Sequence, residues 1–234
     1  MEIDIRLKTI LKELQDVPSV PFLPKLQIRY ISRFLQDLGI KFESTNYAIV
    51  VPPKIFDDRR PKIIIMSHVD HPGVVLRDNT EGIFMGLADG SNIRDYLNNQ
   101  PIPIKIYSPV GSYLGKGKIT SMSSYPKQNV FIKTDIEVSA NSYGQFDVEY
   151  FKEDGDNVYV YNADDGLCVA TMLKLIEDKL VSDFNIYYVF NLFEEVHQIT
   201  SWHLAKKNYF VLTEKDFVIN LECAKVETIK PEKY

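Results

Sequence analysis

Two long apolar runs, Ile63 to Met66 and Ile186 to Phe193, constrain the fold of this 234-residue chain more than any other feature. A strand with one face in water alternates apolar and polar residues. A short run without that alternation fits a strand buried on both faces, as in a parallel sheet covered by helices. Helical spacing surrounds these runs. Apolar residues at Leu7, Ile10, Leu11 and Leu14 form one face of a helix within Ile3 to Val17, which Pro18 and Pro21 end. Ile28, Ile31, Leu35 and Leu38 form the stripe of a second helix over Lys25 to Leu38, with Gly39 where a C-terminal cap belongs. Further strands read at Tyr47 to Val51, Lys62 to Met66, Val158 to Tyr161, Asn185 to Phe193 and Asp216 to Leu221, and helices at Asp165 to Lys179 and Ser201 to Lys207. Strands alternating with helices predict an α/β class with a mostly parallel sheet flanked by helices.

Between Asn79 and Asp156 the texture changes. Gly, Pro and Ser recur between short β-branched or alternating runs, at Ile102 to Tyr107, Asn129 to Thr134 and Gln145 to Phe151. That pattern predicts a small β-rich domain at 79–156, inserted into an α/β domain made of 1–78 and 157–234.

Composition excludes some classes of function. The formal charge is −5 and no basic run or basic helix face stands out, so nucleic acid is not an expected partner. The apolar runs are far too short to span a bilayer, so no membrane is expected. Asp4 interrupts the start and no apolar stretch follows Met1, which reads as a chain without a signal peptide. The two cysteines, Cys168 and Cys223, form no CxxC pair and read as packing residues of a reduced, cytoplasmic protein.

Four motifs stand where strands should end: Ser67-His68-Val69-Asp70, Asn162-Ala163-Asp164-Asp165-Gly166, Phe193-Glu194-Glu195-Val196 and Asn220-Leu221-Glu222. Ligands of open parallel sheets bind beyond the carboxyl ends of the strands. Four segments could therefore deliver one imidazole and several carboxylates to one edge. That donor set suits zinc, with cobalt or manganese as competitors. A carboxylate shared by two divalent ions holds them about 3.5–4 Å apart, and the ions make hydroxide available near neutral pH. A neighbouring carboxylate outside the ligand set must then carry the proton to the leaving amine. Glu194 and Glu195 can divide ligation and proton transfer, and Asp70 can orient the His68 imidazole. Taken singly, each motif has a plainer reading: a strand-end His, a solvated acidic pair, or a helix N-cap at Asp164-Asp165. Only their joint placement points to a site.

The order His-x-Asp, β-rich insertion, Asp-Asp before a helix and Glu-Glu-Val after a strand resembles the two-zinc aminopeptidases of the glutamyl and tetrahedral aminopeptidase type, sometimes described as cellulase-like. Val17-Pro18-Ser19-Val20 between two helices is similar as well, so the resemblance covers nearly the whole chain. It implies a zinc-peptidase-like fold and removal of N-terminal residues from peptides. It also implies that His68, Asp164 and Glu222 bind one ion, that Asp164 and Glu195 bind a second, and that Glu194 is the general acid-base with Asp70 orienting His68. The insertion would serve homo-oligomeric assembly.

Three departures bear on this. Gly166 follows the Asp pair directly, His197 follows Glu-Glu-Val where the family has Gly, and no His follows His203. The family's last ligand is a distal His, so the chain reads as lacking the usual C-terminal part, with the tail Lys225 to Tyr234 too short to supply it. His197 or His71 could substitute, although the family pattern assigns neither. His71 and His203 otherwise read as structural or solvent-facing, and Trp202 as a core anchor. Three readings follow: a metallo-aminopeptidase acting on peptides with one or two ions, a non-catalytic relative that binds or assembles, and a single-metal deacylase or amidase acting on acylated amino acids.

Overall fold

The computed structural model describes residues 4–86, 91–124, 127–148, 151–155, 157–179 and 184–223. Ile3, Asp156 and the tail from Lys225, all used in the sequence reading, lie outside them. In chain order the elements are α1 (Ile5–Gln15), α2 (Pro24–Asp37), β1 (Glu43–Ser44), β2 (Ala48–Val51), β3 (Lys62–His68), β4 (Gly73–Leu76), β5 (Glu81–Met85) and α3 (Ser91–Leu97). They continue with β6 (Ile102–Tyr107), β7 (Tyr113–Met122), β8 (Asn129–Thr134), β9 (Ser142–Phe146), β10 (Phe151–Asp154) and β11 (Asn157–Val160). The last are α4 (Ala163–Glu177), β12 (Asn185–Asn191), α5 (Ile199–Lys206) and β13 (Phe217–Asn220).

Local chemistry explains the helix ends. Asp4 Oδ1 accepts the Leu7 N–H at 2.8 Å and caps α1. Pro24 opens α2 at a position whose N–H has no helical partner. Gly39, at φ +68°, follows α2 and donates its N–H to Gln36 O at 2.9 Å, a left-handed turn that favours glycine.

The main sheet has the order β1-β2-β12-β3-β13. β12 and β13 run parallel to β3, whereas β1-β2 and β2-β12 are antiparallel. The sheet is therefore mixed, and the mostly parallel sheet expected from the apolar runs is confined to its β12-β3-β13 half. Periodicity cannot tell a central antiparallel strand from a parallel one, because both are buried on two faces. Ile49, Val51 and Phe190 point into the larger core, which α1, α2 and α4 cover with Ile10, Leu11, Ile31, Leu35, Val169 and Leu173. The alternate residues Ala48, Val50, Ile64, Met66 and Val189 face the other side, against Leu204 of α5. No helix among the described residues is long and apolar enough to cross a membrane.

Six strands close a barrel in the order β4-β5-β8-β7-β6-β9. Its core is Val74, Leu76, Phe84, Ile102, Ile104, Ile106, Ile119, Val130, Ile132 and Val138. Inward residues alternate, as along Ile102, Ile104 and Ile106 of β6. The barrel starts at Gly73, ahead of the texture change at Asn79, because Val74-Val75-Leu76 carries no turn signal of its own. The expected strand over Gln145 to Phe151 is two separate elements: β9 closes the barrel, and β10 forms a hairpin with β11. Val20, Leu23 and Tyr143 join the barrel to the segment between α1 and α2, and the Tyr143 hydroxyl donates to Phe22 O at 2.8 Å.

Candidate metal centre

β3 ends at His68, and the chain then leaves the sheet. The Val69 N–H donates to Asn191 O at 2.9 Å and the His71 N–H to Ser19 O at 2.8 Å. Asp70 therefore does not continue the strand alternation. Its buried carboxylate accepts the N–H groups of Glu194 (3.0 Å) and Glu195 (3.2 Å), tying the end of β3 to the segment after β12. His68 Nδ1 lies 2.9 Å from the backbone oxygen of Asp70, with the Asp70 carboxylate farther off at 4.0 Å. The carbonyl can only accept, so Nδ1 carries the proton and Nε2 faces the site.

Around Nε2 stand three carboxylates. Asp164 Oδ1 is 3.0 Å away, Glu222 Oε1 3.6 Å and Asp165 Oδ2 3.8 Å. One ligand atom from each of these four residues falls within 4.8 Å of the others. Asp164 and Asp165 open α4 with non-helical backbone, and their peptide bond is cis. Gly166 leaves room for the Asn162 side chain, whose oxygen would lie 2.8 Å from an added Cβ. Asp165 is fully buried; it accepts the Ser67 hydroxyl at 3.2 Å and the Cys223 N–H at 3.1 Å. Glu222 comes two residues after the end of β13, and the intervening Leu221 donates its N–H to Met66 O at 2.8 Å.

The charges are poorly balanced without a cation. Burial disfavours a charged His68, but the bond to Asp164 and the charges of Asp165, Asp70 and Glu194 outweigh it and push the imidazole up to about 10. Burial and the neighbouring Asp164 and Asp165 push Glu222 up to about 7. Burial lifts Asp70 to about 6, against the pull of His68 and the two N–H groups. The bond to His68 holds Asp164 below its ordinary value despite burial, whereas burial raises Asp165. Protons thus occupy a cluster of one imidazole and three carboxylates, a donor set suited to a divalent ion. The residues fit such an ion.

Several sequence expectations meet their geometry here. His68, Asp164 and Glu222 come together. Asp165, which the sequence offers only as part of a helix N-cap, joins them; the Asp164-Asp165 doublet is its signal. Glu195 is buried beside Asp70 through its backbone, but its carboxylate is not in the cluster around His68. Glu194 lines a cavity of about 380 Å³ together with His68, Asn191, Asn220 and the apolar Met66 and Leu204. His197 is exposed with φ +68° and is not in that cluster either. His71 is buried beside His68, ring centroids 6.2 Å apart, and burial together with the His68 charge lowers it to about 3, so it stays neutral. His203 stacks on Tyr47 at 4.1 Å. Trp202 is no core anchor: it is 62% exposed, with Lys206 Nζ over its ring at 4.5 Å, because α5 turns that side outward while Leu204 faces the sheet.

No family model and no curated protein matches the sequence. Solved structures do. The Pyrococcus horikoshii TET1 peptidase, described as able to assemble into a tetrahedron or a large octahedral shell, superposes with a TM-score of 0.72 at 18% identity, over 94% of this chain and 70% of that one. An aminopeptidase from the archaeon Desulfurococcus kamchatkensis gives 0.71 at 15% identity, over 97% and 66%. A Thermotoga maritima protein described as an endoglucanase gives 0.67 at 17% identity, over 95% and 69%. This chain has the fold shared by the TET aminopeptidases and these peptidase- or endoglucanase-described proteins.

Proposed function

We propose that this chain is a metal-dependent, aminopeptidase-like hydrolase that removes N-terminal residues from peptides. The observation that carries the reading is the convergence of His68 Nε2 with Asp164, Asp165 and Glu222, within 4.8 Å of one another, in a fold shared with aminopeptidases. His68, Asp164 and Glu222 would hold one ion, with Asp165 beside them; Asp164 and Glu195 would contribute to a second. Zinc suits this donor set best, with cobalt or manganese next. The ion supplies polarisation of the scissile carbonyl and a lowered pKa for water.

The protein's own groups do the rest. The Asp70 carbonyl fixes the His68 ring so that Nε2 faces the ion site. The Asp70 carboxylate holds the backbone of Glu194 and Glu195, and so sets where both glutamates start. Glu194, on the cavity wall with His68, accepts the proton from the attacking water and returns it to the departing amine nitrogen. Met66 and Leu204 give the cavity an apolar wall beside His68. Assembly into a homo-oligomer belongs to the same reading, by analogy with the TET1 shell.

The test is metal analysis of the chain after mild purification, followed by assay on amino-acyl chromogenic peptides with zinc, cobalt or manganese added. Bound metal and metal-dependent release of the first residue are expected. Neither bound metal nor activity on reconstitution would sink the reading. Light scattering tests the assembly, which a monodisperse monomer contradicts.

A further inference from the structure

The proposed chemistry uses neither cysteine, yet the fold brings both to the edge of the site. Cys168, on α4, and Cys223, directly after Glu222, are 55 positions apart in sequence, but their Sγ atoms are 3.9 Å apart. Both side chains are half-buried. Cys223 also donates its N–H to Asp165 Oδ1 at 3.1 Å and its S–H to Ala163 O at 3.0 Å. These bonds join the Glu222 segment to the start of α4.

That segment is otherwise thinly supported. Among the described residues β13 pairs with β3 alone, and all four of its residues are exposed there. Few buried contacts and an open edge mark a region that opens locally at low cost. A covalent link between Cys168 and Cys223 would act where the packing is weakest. It needs the sulfurs to close from thiol contact to the disulfide length of about 2.05 Å, a movement within reach of side-chain rotation and a small shift of an edge segment.

We propose that Cys168 and Cys223 form a redox-responsive pair whose disulfide staples the Glu222-bearing end of β13 to α4. The two thiols give up two protons and two electrons to a low-molecular-weight disulfide. One cysteine thiolate opens that disulfide, releases one small thiol and becomes a mixed disulfide. The second cysteine then attacks the protein sulfur, forms the Cys168–Cys223 bond and releases the second small thiol. Oxidation holds Glu222 beside Asp164; reduction lets the segment open. The link to Glu222 rests on the metal-site reading above, whereas the staple itself does not. Burial and neighbouring charge hold both thiols protonated, so exchange is slow and the equilibrium state is the quantity to measure.

The experiment equilibrates the full chain in oxidised or reduced glutathione. Intact mass, peptide mapping, amide hydrogen exchange and cobalt titration are then compared between the two forms. The oxidised chain should lose two hydrogens without retaining glutathione, and its digest should link the peptides of Cys168 and Cys223. Exchange at the Leu221 and Cys223 amides should slow by about tenfold. Cobalt should bind about 3- to 10-fold tighter as the competent fraction rises. Cys168→Ser and Cys223→Ser should each abolish the response; should one fail to fold, the other serves. Stable glutathione adducts on both cysteines, or a disulfide that leaves exchange unchanged, overturns the staple. A thiolate-to-cobalt absorption band in the reduced chain, lost in Cys168→Ser, also overturns it by making the pair metal ligands. If cobalt binds neither form, the metal-site reading fails, and exchange alone decides the staple.

Discussion

Around the barrel, six strands close on themselves and enclose an apolar cluster from Val74 to Val138, whereas the mixed sheet, among the described residues, ends in an open strand and buries His68, Asp70, His71 and Asp165 near its carboxyl edge. Closure removes unpaired backbone edges and lets the barrel core be filled by aliphatic side chains and Phe84. The sheet cannot be filled that way where its strands end. There the chain leaves β3 and β12, the backbone turns, and carboxylates satisfy the freed N–H groups, as Asp70 does for Glu194 and Glu195. The difference teaches that chemistry is confined to one edge of this molecule, where the strands of the sheet end. Apolar burial fills the barrel and both faces of the sheet, and only the sheet's carboxyl end gathers buried ionisable groups, which protons or a cation help to balance.

Substitutions should break along that line. The largest effect is expected at Glu194: Glu194→Gln should lower turnover by about 10²–10⁴-fold while leaving bound metal unchanged, read by steady-state kinetics beside metal analysis. Equal loss of metal and turnover would make Glu194 a ligand instead. In the barrel, Ile104→Ala should cost about 2–5 kcal/mol in urea unfolding, because the side chain is fully buried, and should leave cobalt affinity unchanged. A shift in affinity there would show that the two regions are coupled.

The pH dependence follows next in size. Asp70, Glu222 and His68 are held at about 6, about 7 and about 10, all above their ordinary values. At these three groups the metal-free native chain therefore binds more protons than the unfolded chain, whereas His71 and Asp164, both lowered, act in the opposite sense. Its stability from the three raised groups is present at low pH and is lost as pH rises through those values in turn. Metal must displace the protons of Glu222 and His68, so its affinity should run the opposite way. Cobalt should bind about tenfold tighter per pH unit for each proton displaced. The slope should be steeper below pH 7, where both Glu222 and His68 are protonated, than above it, where only His68 is. A slope that does not change across pH 7 would remove Glu222 from the ligand set, and a flat titration would remove His68 as well. The smallest effect is expected at Trp202: Trp202→Ala should change stability by less than about 1 kcal/mol, since only an exposed cation–π contact is lost.

Much of the architecture is legible in the residues. The helical stripes of α1, α2 and α4, the strands β3, β6, β8 and β12, and the β-rich texture of the barrel all follow from periodicity and turn residues. His68, Asp164 and Glu222 could be singled out because each sits in a motif at a strand or helix end. The exposed side of Trp202 is not legible in the sequence, because one helical turn decides its side of α5 and a short helix with little amphipathic character does not announce that choice. Asp165 passed unassigned because adjacent carboxylates on a regular helix point in different directions. Only the non-helical backbone at Asp164 and Asp165 brings both within reach of one imidazole.

What the sequence by itself determined was local: which segments become helices or buried strands, and which segment ends carry an imidazole or a carboxylate. Those properties depend on neighbours a few residues away. The tertiary structure alone decided the direction of β2 against β12, the closing of the barrel from Gly73, and the service of Asp70 through its carbonyl to His68 and its carboxylate to Glu194 and Glu195. It also brought Cys168 beside Cys223. Such pairings join residues far apart in the chain, and their energies depend on which backbone groups each strand end leaves unpaired, a quantity that exists only once the sheet has formed.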